Sequence, residues 1–173
     1  QANGLNNLGR VRFATGDYQK ASDLHDQALA RFEEIDNHHG RANALHDLGR
    51  TRYAMGEYAR AAEHFEEALA LFRDVTDPQG EAEVWNSLGI LRTTKVSPRA
   101  GLAAHHKALE LAQRAGSPFD EAQALEGAAR SHVLNGDLEA AMADLRRAVR
   151  IYDRIGAAVA FSRPTDGRSG ASE

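Results

Sequence analysis

The chain has 173 residues, and its 21 Lys+Arg against 25 Asp+Glu give a formal net charge of -4, which provides little long-range attraction for nucleic acid or for an anionic membrane surface. Cysteine is absent, which excludes disulfides, thiolate metal sites and a cysteine nucleophile. No apolar run approaches the roughly 20 residues that a membrane span needs. We therefore expect a cytoplasmic protein whose partner is neither a membrane nor a nucleic acid.

A shift of 40 residues aligns the sequence with itself without gaps. Such a period is typical of tandem structural repeats. Four copies are predicted to form one domain over residues 1–156, at 1–40, 41–80, 81–120 and 121–156. The remaining segment, 157–173, is rich in Ser, Gly and Arg in its second part, and we expect it to be disordered. The coinciding positions include Leu5, Leu45, Trp85 and Leu125; Gly9, Gly49 and Gly89; and Ala28, Ala68, Ala108 and Ala148.

Each copy is predicted to form two helices, because its apolar residues recur at spacings of three and four rather than two. The turns inside several copies contain a glycine suited to the left-handed conformation or an aspartate suited to helix capping. Later helices have a cap residue followed by proline at the first helical position, which is a strong start signal. These signals are Gly16, Asp17, Gly56 and Asp137, and then Asp77-Pro78, Ser97-Pro98 and Ser117-Pro118.

The glycines of the first helices predict that the two helices of a pair pack closely. A glycine inside a helix costs about 1 kcal/mol relative to alanine, so close approach is the expected reason for Gly9, Gly49 and Gly89. His25 and His105 occupy equivalent positions on the second helices. We expect both histidines to pack in the core.

The third copy is irregular at its turn. The segment from Thr93 to Pro98 replaces the Gly-Asp-Tyr turn, and Gly101 replaces the alanine of the other copies. Two interpretations remain open, a local change in the curvature of the repeat array or simple sequence drift.

The repeat motifs resemble those of the tetratricopeptide repeat (TPR) family. Residues 85–89 read W-x2-L-G and residues 61–65 read A-x3-F, as in the family signature. The resemblance implies an all-α fold, a right-handed superhelical solenoid of four helix-turn-helix repeats. A 40-residue period also lies in the HEAT/armadillo range, which is the main structural rival. The long repeat is similar to C-terminal arrays of bacterial signal-transduction and transcription regulators, and to arrays in peptide-pheromone receptors.

In such a solenoid the first helix of each pair lines a concave wall, where side chains at i, i+3, i+7 and i+10 share one face. Asparagine, arginine and aromatic side chains suit an extended peptide, since they bind its backbone and its acids. The predicted peptide-binding residues are Asn6, Arg10, Asn43, His46, Arg50, Tyr53, Asn86 and Arg130.

The resemblance implies a non-catalytic module that binds a protein or peptide, as the interaction or sensing part of a larger bacterial regulator. The alternatives are a free-standing structural scaffold and a peptide-pheromone receptor. Capture of a C-terminal carboxylate is disfavoured, because Asp47 and Glu83 stand at positions where that type of TPR needs other residues.

No cofactor or metal is predicted. The pairs His38-His39 and His105-His106 point about 100° apart on a helix and do not chelate well. The sequence has no glycine-rich phosphate loop with lysine, and its serines, histidines and aspartates follow no known nucleophile motif. An enzyme is therefore not expected.

The last helix is predicted to be uncovered on one side. Leu145, Val149 and Tyr152 would form an apolar face that pairs with a second molecule, giving a homodimer through the terminal repeats. Four arginines, Arg146, Arg147, Arg150 and Arg154, form a basic stripe on this helix. The stripe either contacts a nucleic acid or another partner, or it complements the helix dipole, and the sequence leaves this choice open.

Overall fold

The computed structural model of the chain describes residues 1–156, and these residues form eight α-helices without a strand. The predicted helix count is confirmed, and the predicted tail at 157–173 lies outside the described residues. The helices are α1 (Ala2–Ala14), α2 (Tyr18–Glu34), α3 (His38–Ala54), α4 (Tyr58–Asp74), α5 (Pro78–Lys95), α6 (Pro98–Ala115), α7 (Pro118–Leu134) and α8 (Leu138–Ile155).

Helix boundaries follow the predicted local signals. Pro78, Pro98 and Pro118 are the first residues of α5, α6 and α7. The caps before Pro78 and Pro98 accept hydrogen bonds from backbone N–H groups. Ser117 differs, because its hydroxyl donates to the carboxylate of Asp120 and makes no capping bond. Glycines in the left-handed conformation, with φ near +80°, follow α1 and α3 as expected from the sequence, and a third follows α7. These are Gly16, Gly56 and Gly136.

Close approach of the paired helices explains the glycines of the first helices. A Cβ atom built at Gly49 would lie 2.5 Å from two ring carbons of Phe65, on α4. The same atom at Gly9 would meet His25, and at Gly89 it would meet His105, each 2.5 Å from the ring Cε1. Both histidines are almost fully buried. The predicted packing roles of these glycines and histidines are confirmed.

Successive pairs stack into a solenoid, and a second contact repeats between them. The ring of Phe72 on α4 covers Gly80 on α5, as Phe32 covers Gly40 one repeat earlier. The third junction is built differently. Ala112 and Asp120 stand where the other junctions have phenylalanine and glycine, and a carboxylate is therefore buried there.

The irregular turn of the third repeat has its own geometry. α5 runs on to Lys95, and the turn contains no left-handed glycine. Thr93 is buried and its hydroxyl contacts that of Ser131 at 2.8 Å. A Cβ atom at Gly101 would lie 1.8 Å from Oγ1 of Thr93, so alanine does not fit at this position. The turn therefore differs from its sister turns, and a change in curvature stays a prediction.

The two ends of the described array leave apolar side chains in solvent. Leu8 is 44% exposed, whereas its equivalents Leu48 and Leu88 are fully buried. On α8, Leu145 and Val149 are exposed as predicted. Tyr152 is not: it is buried, and the prediction that it lies on the uncovered face is wrong. None of α1 to α8 combines the length and apolarity that crossing a membrane requires.

Candidate binding groove

The first helices of consecutive repeats line a groove. Four open depressions, with volumes of about 420, 230, 290 and 370 Å³, follow one another along α1, α3, α5 and the start of α7. The depressions form one continuous groove, because adjacent depressions are lined in part by the same side chains. Arg10 lines the first two, Arg50 lines the last three, and Ile90 lines the last two.

A buried carboxylate organises the N-terminal half of the groove. Asp47, on α3, is 3% exposed, and its Oδ2 accepts hydrogen bonds from Asn6 Nδ2 at 2.8 Å and from Arg10 Nε at 2.6 Å. A second guanidinium, that of Arg50, has Nη1 3.7 Å from Oδ1 of Asp47. Such charge-assisted contacts fix side chains more firmly than neutral ones. Both arginines are therefore anchored at one edge and about half exposed to the groove.

Two asparagines of the groove are held from behind by core histidines. Oδ1 of Asn6 lies 2.7 Å from Nδ1 of His25, and Oδ1 of Asn86 lies 2.7 Å from Nδ1 of His105. Because an amide oxygen only accepts hydrogen bonds, each histidine donates from Nδ1. Burial lowers the pKa of His105 to about 4, which keeps this ring neutral near pH 7. The repeat thus uses the same His–Asn pair twice to orient an amide at the groove wall.

The C-terminal half of the groove contains a weakly compensated acid. His46 is buried, and its Nε2 lies 2.8 Å from Oγ of Ser87, while its Nδ1 lies 3.9 Å from Oε2 of Glu83. Burial lowers the pKa of His46 to about 4, so the ring is neutral near pH 7 and forms no ion pair with Glu83. Burial of Glu83, and then the nearby Asp120, raise the pKa of Glu83 to about 7.

Seven of the eight predicted binding residues line the groove, and Arg130 is not among its lining residues. Asn6 and His46 are buried and serve partly to position their neighbours. The hydroxyl of Tyr53 contacts that of Thr94 at 3.3 Å, and Asn43 donates to the carbonyl of His39 at 3.0 Å. No metal-binding group of three His, Cys, Asp or Glu occurs within residues 1–156.

Two parts of the site were not identified from the sequence. The role of Asp47 as an anchor depends on contacts between repeats that no local pattern indicates. Phe119 and Asp120, at the start of α7, also line the groove. The sequence did contain a signal for this part of the site. Positions 40, 80 and 120 are equivalent in the repeat, and Asp120 stands where the two earlier copies have Gly40 and Gly80.

A stack of helical hairpins with a polar groove along its first helices defines a class of repeat protein built for interaction. The family model for the tetratricopeptide repeat matches residues 1–74, and a second tetratricopeptide repeat model matches residues 122–154. The chain belongs to the tetratricopeptide repeat family. A comparison with curated proteins finds no match.

Many solved structures share the fold, including the following three. BtubC (BKLC) from P. vanneervenii is 23% identical with a TM-score of 0.74, over 99% of this chain and 69% of that chain. RapI in its apo form is 16% identical with a TM-score of 0.77, over 90% of this chain and 57% of that one. A Rap protein complexed with competence and sporulation factor is 16% identical with a TM-score of 0.78, over 88% and 43%. This chain therefore spans about half of the two Rap chains.

Proposed function

We propose that the chain is a non-catalytic interaction module that binds an extended peptide, or an extended segment of a protein, in the groove. The observation that carries this proposal is the continuity of the groove across four first helices. The family supports the same conclusion, as does the fold shared with a Rap protein that was solved with competence and sporulation factor.

The chemistry of the groove wall fits an extended backbone. A peptide strand has one N–H and one C=O per residue, and each needs a partner when it leaves water. The amides of Asn43 and Asn86 provide donors and acceptors, and Arg10 and Arg50 provide fixed donors. Because Arg10 and Arg50 are already oriented by Asp47, and Asn86 by His105, binding costs less side-chain entropy than on a mobile surface.

One observation favours a second candidate function, hydrolysis. The side chains of Ser87, His46 and Glu83 follow one another as the nucleophile, base and acid of a hydrolase do. The backbone N–H groups beside Ser87 cannot serve as donors that stabilise an oxyanion. Ser87 lies inside α5, where backbone N–H groups are bound to carbonyls one turn earlier. We expect hydrolysis of p-nitrophenyl acetate to be no faster than in Ser87→Ala. A rate that falls in this variant would favour an enzyme.

A selection experiment tests the binding function. The chain is screened against a phage library of random peptides of about twelve residues, which span about 40 Å when extended. We expect selected peptides to bind the parent and to lose about tenfold in affinity with Arg50→Gln, because charge-assisted contacts are worth about 1.5 kcal/mol or more.

The matched control is Arg60→Gln, which changes an exposed arginine on α4 away from the groove. It should bind like the parent. A library that yields no peptide, or peptides that bind both variants equally, would contradict the proposed function. The same function is expected in the context of a larger bacterial regulator, with a free-standing scaffold or a peptide-pheromone receptor as alternatives.

A further inference from the structure

The third repeat junction places a buried acid in the groove where its sister junctions have glycine. Asp120 is 7% exposed and lines the C-terminal depression together with Glu83. One of its oxygens, Oδ2, accepts from the hydroxyl of Ser117. Within residues 1–156, its other oxygen has no hydrogen-bond partner, and no lysine, arginine or histidine lies within ion-pair distance of it.

The contrast with Asp47 identifies what Asp120 lacks. Asp47 is buried to a similar degree, and it is compensated by an amide and two guanidinium groups. A buried charge without such partners costs several kcal/mol. Glu83 adds a second carboxylate without a charged partner. The basic side chain within ion-pair distance of it is that of His46, at 3.9 Å, and this ring is neutral near pH 7. Arg50 also lines this depression, but its guanidinium is paired with Asp47. Among the described residues, neither Glu83 nor Asp120 has a charged basic partner within ion-pair distance.

The walls of the depression favour a cation on an aliphatic stem. Phe119 and Ile90 line it beside the carboxylates, and Phe119 is about half exposed. Lysine and arginine side chains place their methylene groups along apolar surface while the charged head reaches a polar partner. An aromatic ring such as that of Phe119 also attracts a cation over its face.

We propose that Glu83 and Asp120 form a subsite for a guanidinium or ammonium group of the peptide bound in the groove. This inference rests on the proposed peptide-binding function and adds the chemical class of the residue that is recognised. A basic side chain and the free amino terminus of a peptide share this chemistry.

The test uses peptides selected from the random library on the full chain. We expect an arginine or lysine at one fixed position of the selected sequences. A synthetic, N-acetylated peptide with arginine at that position should bind about tenfold more tightly than the same peptide with neutral citrulline, as expected for one charge-assisted contact. In Glu83→Gln/Asp120→Asn the ratio should fall below about twofold.

The control variant is Glu66→Gln/Glu67→Gln, which removes two exposed acids of α4 and should keep the tenfold ratio. Circular dichroism checks that each variant is folded, and Glu83→Gln alone replaces the double variant if Asp120→Asn is unfolded. If acetylation abolishes binding and citrulline does not, the cation is the peptide's amino terminus, which still supports the subsite.

Three outcomes would overturn the inference. The first is that the selected peptides have neither a basic residue nor an essential amino terminus. The second is that arginine and citrulline peptides bind equally and acetylation also has no effect. The third is that the ratio of arginine to citrulline affinity is unchanged in Glu83→Gln/Asp120→Asn. Each of these leaves the peptide-binding function standing. Failure to select any peptide overturns the function itself, so the two failures are distinguishable.

Discussion

Replacing Gly49 with alanine tests the close packing of the helical pairs. The new methyl carbon would lie 2.5 Å from Cδ1 and Cε1 of Phe65 and 3.2 Å from the carbonyl oxygen of Ala61. Carbon atoms in contact prefer about 3.5–4.0 Å, so each ring contact is about 1 Å too short. Phe65 is 1% exposed and its ring packs against that of His46. The overlap can therefore be relieved only by moving α4 away from α3.

The expected magnitude is the difference of two effects. Overpacking of a buried site costs about 1–3 kcal/mol, and two ring carbons with a backbone oxygen behind them place Gly49→Ala at the upper end. Alanine improves helix propensity by up to about 1 kcal/mol over glycine. The net result is a loss of about 2 kcal/mol in the free energy of unfolding. Gly49→Leu should lose more.

Urea unfolding followed by far-UV circular dichroism measures this difference. The matched control is Gly4→Ala, because Gly4 also lies in a helix but nothing would touch its added methyl group. This control should be neutral or stabilising by up to about 1 kcal/mol. If Gly49→Ala is as stable as Gly4→Ala, the assignment of Gly49 to a close helix contact is wrong.

Three further predictions concern charged and titratable groups. Asp47→Ala should lower the free energy of unfolding by about 2 kcal/mol in urea titrations, because it leaves the buried amide of Asn6 without its acceptor; a loss below 1 kcal/mol would contradict its anchoring role. The free energy of unfolding should fall as pH decreases from 6.5 to about 4. In this range His46 and His105 become protonated in the unfolded chain but stay neutral in the folded one, because burial lowers their pKa to about 4. His105→Phe should flatten this part of the pH profile. Affinity for the arginine peptide should rise from pH 6 to 8 as Glu83, with a pKa of about 7, becomes ionised beside Asp120 and neutral His46, and Glu83→Gln should abolish the rise.

Much of the fold could be predicted because its signals are local and repeated. A proline after a cap residue starts α5, and a left-handed glycine ends α3, and neither depends on distant contacts. The helix-interior glycines could also be interpreted, since a costly residue at three equivalent positions indicates a steric need. The period then determines how these elements stack.

The site was harder to predict because its energetics depend on contacts between repeats. The face that contains Arg10 and Arg50 follows from helical periodicity. Periodicity does not indicate that Asp47 reaches across to α1 and anchors Arg10, nor that the start of α7 completes the groove. The same limit explains the error at Tyr152, which packs against Phe119 and donates to Glu126 at 2.8 Å instead of facing solvent.

The ends of the described array carry a prediction that remains to be tested. Leu145 and Val149 are exposed on α8, and a homodimer through this face would bury them. Light scattering at tens of micromolar, compared between the parent and Leu145→Glu, distinguishes the cases. A dimer that becomes a monomer in the variant is expected, and a parent that is already monomeric would contradict the prediction.

The proposed function requires that the first helices bind an extended peptide along the groove. The most direct measurement is amide chemical-shift mapping of the isotopically labelled chain during titration with a library-selected peptide. We expect shifts that follow α1, α3, α5 and the first turn of α7, with the outer faces of α4 and α6 unaffected. Shifts concentrated on those outer faces or on α8 would contradict the proposed function.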